Sequence, residues 1–138
     1  MMESMGYKIM DLEKDAYKLL KKLMVREKLE KMIGKDVEVY IDRSIGSTHP
    51  KYNNIIYPVN YGYMKEITAV DGDYQDVYVL GEENKIDYCV GKVYAVVERD
   101  NDVEDKLIVT TDDRDYSIEE IKAKIDFQEK YFKYKIVK

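Results

Sequence analysis

Three aspartates lie within one six-residue segment, at Asp71, Asp73 and Asp76. An apolar strand signal at residues 77–80 follows at once, so the carboxylates lie at the entrance of a predicted strand. Carboxylates crowded into one turn repel one another unless a cation lies between them, and oxygen donors of this kind are the ligands that Mg²⁺ prefers. The spacing therefore predicts a divalent-metal site at this turn.

A second acidic segment contains Asp100, Asp102 and Asp105. It separates two predicted strands, so both acidic turns open at the same end of the fold if those strands are neighbours. A simple polar turn is an alternative for this segment, because Asp and Asn favour turns for local backbone reasons. A calcium loop of the EF-hand type is an alternative for the first segment, but its template needs Gly where Asp76 stands and flanking helices.

The composition indicates one globular chain with an acidic surface. The 138 residues carry a net charge of −5 and a single cysteine. The charge argues against nucleic acid or an anionic membrane as the main partner. One cysteine excludes an internal disulfide, and the N-terminus does not resemble a secretory signal, so we expect a reducing, cytoplasmic setting. No segment approaches the run of about 20 apolar residues that spans a membrane.

The N-terminal region has the pattern of a long amphipathic helix. From Asp11 onward, apolar residues recur at helical spacing until Gly34 ends the pattern. We expect the Lys/Glu face to be solvated and the apolar face to serve packing or homo-oligomerisation. The apolar positions are Leu12, Ala16, Leu19, Leu20, Leu23, Met24, Leu29, Met32 and Ile33.

Beyond Gly34 the apolar period changes to two, which predicts strands. Ser117 and Glu120 form a capping box, which predicts a helix over residues 118–132. Short strands with a packed helix indicate an α+β, mainly β fold: a small five-stranded barrel with a C-terminal helix. We therefore divide the chain into an N-terminal helical extension, residues 1–34, and a barrel domain, residues 35–138. The predicted strands cover residues 37–41, 55–63, 77–80, 86–98 and 107–110.

The aromatic run Tyr-Pro-Val-Asn-Tyr-Gly-Tyr at residues 57–63 stands just before the first acidic turn. Over residues 37–131 the chain resembles the family I soluble inorganic pyrophosphatases, whose signature is D-x-D-x-x-D after YPxNYGY. The resemblance implies an OB-like barrel in a short, divergent member that carries an added N-terminal helix. It also implies Mg²⁺-dependent hydrolysis of pyrophosphate to two orthophosphates, with Mn²⁺ or Co²⁺ as alternative ions.

The resemblance also implies roles for the acidic residues. Asp71 and Asp76 correspond to metal ligands, and Asp73 corresponds to the general base that acts on the attacking water. Metal binding lowers the pKa of water from about 15.7 toward neutrality, which makes hydroxide available. In the second acidic segment, Asp105 joins the first metals, and either Asp100 or Asp102 holds a further ion.

Other positions correspond to the family's contacts with phosphate oxygens. Tyr61, which we group with the catalytic residues, and Tyr131 fall at such positions. Lys106 matches such a position only if the alignment with the family has a one-residue gap between Asp105 and Lys106.

The chain departs from the family at several further positions. The hairpin that usually precedes the aromatic run is missing, and Asp42, a candidate metal ligand, replaces a Glu. His49 stands where the family has Arg, so Arg43 or Lys51 must supply that charge, and Lys133 stands one residue late. The alternative function is therefore a catalytically weakened or inactive barrel that binds metal or phosphate.

Overall fold

The computed structural model describes residues 2–138, with side chains described from Glu13 onward, so Met1 and the predicted helix-face position Leu12 lie outside the described set. The described residues 2–138 form two helices and six strands. In chain order these are α1 Met2–Lys31, β1 Asp36–Arg43, β2 Asn60–Thr68, β3 Tyr74–Leu80, β4 Tyr88–Arg99, β5 Lys106–Thr110, α2 Ile118–Glu129 and β6 Tyr134–Val137.

The strands form one sheet that closes on itself. Their order is β1-β2-β3-β5-β4-β6, and an additional pairing of β1 with β4 closes a five-stranded barrel. β3 and β5 are parallel, whereas the other pairs are antiparallel. The predicted α+β, mainly β barrel with one helix at each end of the chain is confirmed.

Successive residues of a strand point to opposite sides of the sheet, and in β3 the residues on both sides are buried. In β3, Val77 and Val79 belong to a cluster that includes Leu29 of α1. Tyr78 and Leu80 belong to a second cluster that contains Ile121 and Ile125 of α2. Leu29 of α1 and the buried face of α2 therefore pack with residues that point to opposite sides of β3.

The predicted capping box of α2 is confirmed, since the Glu120 backbone N–H donates to the Ser117 hydroxyl at 3.1 Å. The helix ends at Glu129, three residues before the predicted end, and the short strand Tyr134–Val137 follows. Sequence reasoning missed this strand because four residues are too few to show a period. It forms by pairing with β4, where Ile136 lies opposite Val97.

The aromatic run is only partly a strand. β2 begins at Asn60, and the preceding residues form a loop fixed by an isolated bridge between Thr48 and Ile56. Pro58 explains the late start, because proline cannot donate to a strand ladder. Gly62 is required where β2 passes β1, since a Cβ there would lie 1.9 Å from the Tyr40 carbonyl oxygen.

The N-terminal helix packs on the barrel through its last turns only. Leu29 is fully buried, whereas Leu19, Leu20 and Leu23 are 56%, 57% and 48% exposed. The apolar face was expected to serve packing or homo-oligomerisation, and packing within the chain does not account for these three exposed leucines. The helix is followed by Gly34, whose φ of +91° suits glycine. Neither helix of the described chain is long and apolar enough to cross a membrane.

Candidate active site

A cavity of about 600 Å³ lies where several strands end. It brings together five residues that the sequence analysis selected: Arg43, Tyr61, Asp76, Lys106 and Tyr131. The other lining residues are His49, Tyr52, Asn54, Ile55, Arg99, Gln128 and Phe132.

Strand register places the two charged groups of the cavity side by side. β3 and β5 are parallel with Val77 opposite Leu107, so the preceding residues, Asp76 and Lys106, are neighbours. The Lys106 Nζ atom donates to Asp76 Oδ2 at 2.6 Å. Lys106 is largely buried, whereas the Asp76 side chain is 37% exposed. The carboxylate is therefore paired with an ammonium group and still accessible from the cavity.

Tyr61 lies beneath this pair and is 4% exposed. Burial, together with the nearby negative charge of Asp76, raises the pKa of Tyr61 well above its usual value. The phenol therefore stays protonated at neutral pH and can act as a hydrogen-bond donor. This placement agrees with a contact to a phosphate oxygen.

Arg43 supplies positive charge at the end of β1. Its Nη1 atom donates to the Tyr57 hydroxyl, and its guanidinium carbon lies 5.5 Å from the ring centroids of Tyr57 and Tyr61. Across the residues whose side chains are described, Arg43 forms no ion pair. Its charge is therefore available to an anion, whereas Lys51 and Lys133 are exposed and do not line the cavity.

A buried polar network, which sequence reasoning missed, supports the floor of the cavity. Arg99 donates to both carboxylate oxygens of Glu129, at 2.8 and 2.5 Å, and Glu129 is fully buried. The Tyr78 hydroxyl donates to Glu129 at 2.6 Å, and the Gln128 amide donates to the Tyr78 hydroxyl at 2.7 Å. A signal was present, since Glu129 follows Ile125 by four residues on the buried face of α2.

His49, which stands where the family has Arg, lines the same cavity. Its Nδ1 atom accepts from the backbone N–H groups of Lys51 and Tyr52 at 3.0 and 3.3 Å. The proton of the neutral ring is therefore on Nε2. Desolvation and the neighbouring Arg43 lower the pKa of His49, so the ring is mostly neutral at pH 7.

The first acidic turn faces a carboxylate that sequence reasoning did not select, Glu104. The Asp71 backbone N–H donates to Glu104 Oε1 at 3.1 Å, and the Asp73 N–H donates to Asp71 Oδ1 at 3.0 Å. Burial, then the charge of Asp71 and more weakly that of Asp76, raises the pKa of Glu104. These acidic groups therefore repel one another, and a cation between them would relieve that repulsion.

The Glu104 position could have been found from the one-residue gap before Lys106. If no gap is introduced, Glu104 takes the place that the gapped alignment gives to Asp105. The structure thus offers a second assignment for the acidic position that precedes Lys106.

The structure places Asp105 against the N-terminal helix. Its carboxylate accepts from Arg26 Nε at 2.8 Å, from Arg26 Nη2 at 2.9 Å and from the Arg99 N–H at 3.0 Å. Asp102 accepts from Arg99 Nη1 at 2.9 Å, and Asp100 is exposed. The second acidic segment is therefore held largely by arginines, and metal ligation by its three aspartates stays a prediction.

Asp42 lies near Asp76 of the first acidic turn. Desolvation raises the pKa of Asp42, with an additional contribution from the charge of Asp76, and Arg43 opposes this shift. Across the part of the chain whose side chains are described, no three His, Cys, Asp or Glu residues lie close enough to hold one metal ion together. The roles predicted for Asp42, Asp71, Asp73 and Asp76 as ligands or base likewise stay predictions.

The chain resembles proteins of one class. No family model matches it. It is 30% identical over 91 residues to a soluble inorganic pyrophosphatase of Oryza sativa subsp. indica and equally to that of subsp. japonica. The match covers 60% of this chain, which spans only 42% of the length of those curated relatives. The predicted resemblance to soluble inorganic pyrophosphatases is thus confirmed.

Solved structures show the same fold. The inorganic pyrophosphatase of Ehrlichia chaffeensis matches with a TM-score of 0.56 and 20% identity, over 75% of this chain and 85% of that chain. That of Neisseria gonorrhoeae matches with a TM-score of 0.56 and 23% identity, over 71% and 74% of the two chains. The OB-like barrel of these pyrophosphatases is therefore the fold of this chain.

Proposed function

We propose that the cavity binds pyrophosphate and that the protein hydrolyses it to two orthophosphates with the help of a divalent cation. One observation carries this proposal: Arg43, Tyr61, Lys106 and Tyr131 line a single cavity beside Asp76. These groups come from four separate parts of the chain. Their convergence is what recognition of a small, highly charged phosphate compound requires.

Arg43 and Tyr61 are the strongest candidates for binding the transferred phosphoryl group. Arg43 has a planar guanidinium that suits phosphate geometry, and the buried Tyr61 offers a neutral O–H donor. Catalysis of phosphoryl transfer comes mainly from donors and cations placed around the developing charge. Lys106 can take part if its ammonium group moves from Asp76 to a phosphate oxygen.

The acidic residues fit a hard divalent cation in their chemistry. Asp71, Asp76 and Glu104 offer oxygen donors. Burial first, and then repulsion from Asp71 and Asp76, raises the Glu104 pKa, and a bound cation relieves that repulsion. We propose that these three residues supply ligands to the ion once their side chains move closer together than they lie in this structure, with Mg²⁺ as the ion and Mn²⁺ or Co²⁺ as substitutes. A bound ion supplies a water of lowered pKa, and the exposed carboxylate of Asp73 is the proposed acceptor of its proton.

A second candidate function is binding of phosphate compounds without turnover. It is favoured by the pairing of Asp76 with Lys106 and of Asp105 with Arg26. Both pairings occupy carboxylates that a metal would need. Calorimetry with pyrophosphate and Mg²⁺ that shows binding, combined with no phosphate release, would select this candidate.

The test is phosphate release from pyrophosphate by purified protein with Mg²⁺, Mn²⁺ or Co²⁺. Asp76→Asn and Asp73→Asn are expected to abolish release while thermal unfolding shows an intact fold. Asp113→Asn is the matched control, because Asp113 is exposed in a turn that does not line the cavity. Absence of release with all three ions would refute the hydrolase proposal.

We also propose a cytoplasmic location. The single cysteine supports this location, because disulfides are characteristic of oxidising compartments. Fractionation of cells that express the protein tests it.

We keep the division into residues 1–34 and 35–138 as a proposal. The limited contact of α1 with the barrel supports this division, and limited proteolysis around Gly34 tests it.

A further inference from the structure

Helix α1 carries an apolar face that points away from the barrel. Lys22, Arg26 and Leu29 form the face that contacts the barrel, through the Arg99 carbonyl, Asp105 and the buried core. Leu23 precedes Leu29 by six residues, which places it about a third of a turn around the helix from Leu29 at 3.6 residues per turn. Leu23 is accordingly 48% exposed.

This outward face follows a heptad pattern. Ala16 and Leu23 are seven residues apart, with Leu19 between them, which is the a-d-a spacing of a coiled coil. The sequence continues the pattern in the N-terminal direction over two more heptads. In the helix Met2–Lys31, the a and d positions before Arg26 are Met2, Met5, Ile9, Leu12, Ala16, Leu19 and Leu23.

The pattern stops where the helix meets the barrel. The next d position is Arg26, which is bound to Asp105, and the following outward residue, Glu27, is paired with Lys31 at 3.1 Å. An apolar stripe of this length, sustained over about three heptads, is characteristic of a coiled-coil seam. Nothing in residues 13–138 covers its described part, since Leu19 is 56% exposed.

We propose that this face binds the same face of a second copy of the chain in a parallel, two-stranded coiled coil. Charge favours the parallel orientation, in which a g position faces the following e position of the other helix. By sequence position, Lys8 at g then falls opposite Glu13 at e, which gives an attractive pair. In an antiparallel pair centred on the seam, Asp15 falls opposite Asp15 and Glu13 opposite Glu13, which are like charges.

The geometry of the chain is compatible with this pairing. The described bonds and buried contacts of α1 with the barrel lie at Lys22, Arg26 and Leu29, whereas most of the seam precedes Lys22 along the helix. Lys22 and Arg26 keep their bonds to the Arg99 carbonyl and Asp105 in this arrangement.

The test compares the full chain with two double variants by sedimentation equilibrium. Leu19→Lys with Leu23→Lys adds charge to the seam and is expected to convert the dimer to a monomer. Tyr17→Lys with Met24→Lys is the matched control: both residues are exposed and apolar, but they occupy b positions beside the seam. The control is expected to stay dimeric, with helix content and unfolding temperature monitored for both variants.

Orientation is tested with Leu23→Cys in a Cys89→Ser background. In the parallel dimer the two introduced thiols lie at one a position, so mild oxidation is expected to link the copies efficiently. A monomeric wild-type chain, or a dimer that survives Leu19→Lys with Leu23→Lys in a folded protein, would overturn the proposal. A dimer that fails to crosslink through Leu23→Cys would overturn its parallel orientation.

Discussion

Replacement of Asp105 by Asn tests whether this residue holds the N-terminal helix on the barrel. Asp105 is 5% exposed and accepts three hydrogen bonds, two from the Arg26 guanidinium and one from the Arg99 backbone. The Arg26 side chain is 17% exposed. Asn removes the negative charge and turns an N–H group toward one of these donors.

The expected loss of stability can be estimated from this geometry. Breaking a buried ion pair by removal of one partner costs about 3–5 kcal/mol, because the remaining charge is uncompensated. Arg26 keeps some solvent contact and also lies 3.7 Å from Glu98. We therefore expect Asp105→Asn to lower the free energy of unfolding by about 2–4 kcal/mol, somewhat less than the loss of a partner costs a fully buried pair.

The assay is a double-mutant cycle of Asp105→Asn and Arg26→Gln, measured by urea unfolding. Since the two side chains contact each other, the effects are expected to be non-additive, with a coupling energy of about 1–3 kcal/mol. Asp100→Asn is the matched control, because Asp100 lies in the same segment with an exposed side chain. Additive single effects, or a loss of stability no greater than that of Asp100→Asn, would show that Asp105 does not anchor α1 through Arg26.

The cycle also separates the two roles open to Asp105. If Asp105 binds metal, Asp105→Asn must reduce the stabilisation that Mg²⁺ gives to the folded protein. If Asp105 serves only to anchor α1, the variant loses stability equally with and without Mg²⁺. The hydrogen bonds to Arg26 favour the second result.

Three further predictions concern single side chains. Burial, together with the neighbouring Glu30 carboxylate, raises the pKa of Glu98 to about 7. The folded state therefore binds more protons than the unfolded state between about pH 4.5 and 7. Stability should therefore fall as pH rises through that window, and Glu98→Gln should flatten the profile in thermal unfolding; an unchanged profile would contradict this. Arg43→Gln should lower kcat/KM for pyrophosphate by about 10²-fold. Lys51→Gln, which removes an exposed charge outside the cavity, should have little effect on kcat/KM. Equal effects of the two changes would show that Arg43 does not contact substrate. Ser117→Ala should destabilise the protein by about 1 kcal/mol through loss of the α2 cap. The loss is measured by urea unfolding, with Ser44→Ala in the loop that follows β1 as the control. Equal stability of the two variants would contradict the capping role.

The barrel could be predicted from the sequence because the patterns that indicate its strands and helix lie within short segments of the chain. The alternation in β1, the apolar run in β3 and the capping box at Ser117 each depend on neighbouring residues, and all three features appear in the structure. The start of β2 was misplaced because aromatic and β-branched residues favour strands, while the missing N–H of Pro58 opposed it. The strand Tyr134–Val137 depends on pairing with β4, which no local pattern reveals.

The site was predictable where a motif fixed it and unpredictable where distant elements meet. Tyr61 and Asp76 lie in the motif and line the cavity. Arg26 comes from a helix outside the resemblance, so its bond to Asp105 could not be inferred from the motif. Glu129 reaches Arg99 across 30 residues of chain, and the pairing is fixed only by the packing of α2 on the barrel.

The most direct test of the central claim is the rate of phosphate release from pyrophosphate by the wild-type chain in Mg²⁺, with a nucleoside triphosphate as the comparison substrate. We expect multiple turnovers on pyrophosphate, slower phosphate release from the nucleotide, and loss of both activities on chelation of the metal. A folded protein that binds pyrophosphate in the cavity but releases no phosphate with Mg²⁺ would contradict the claim.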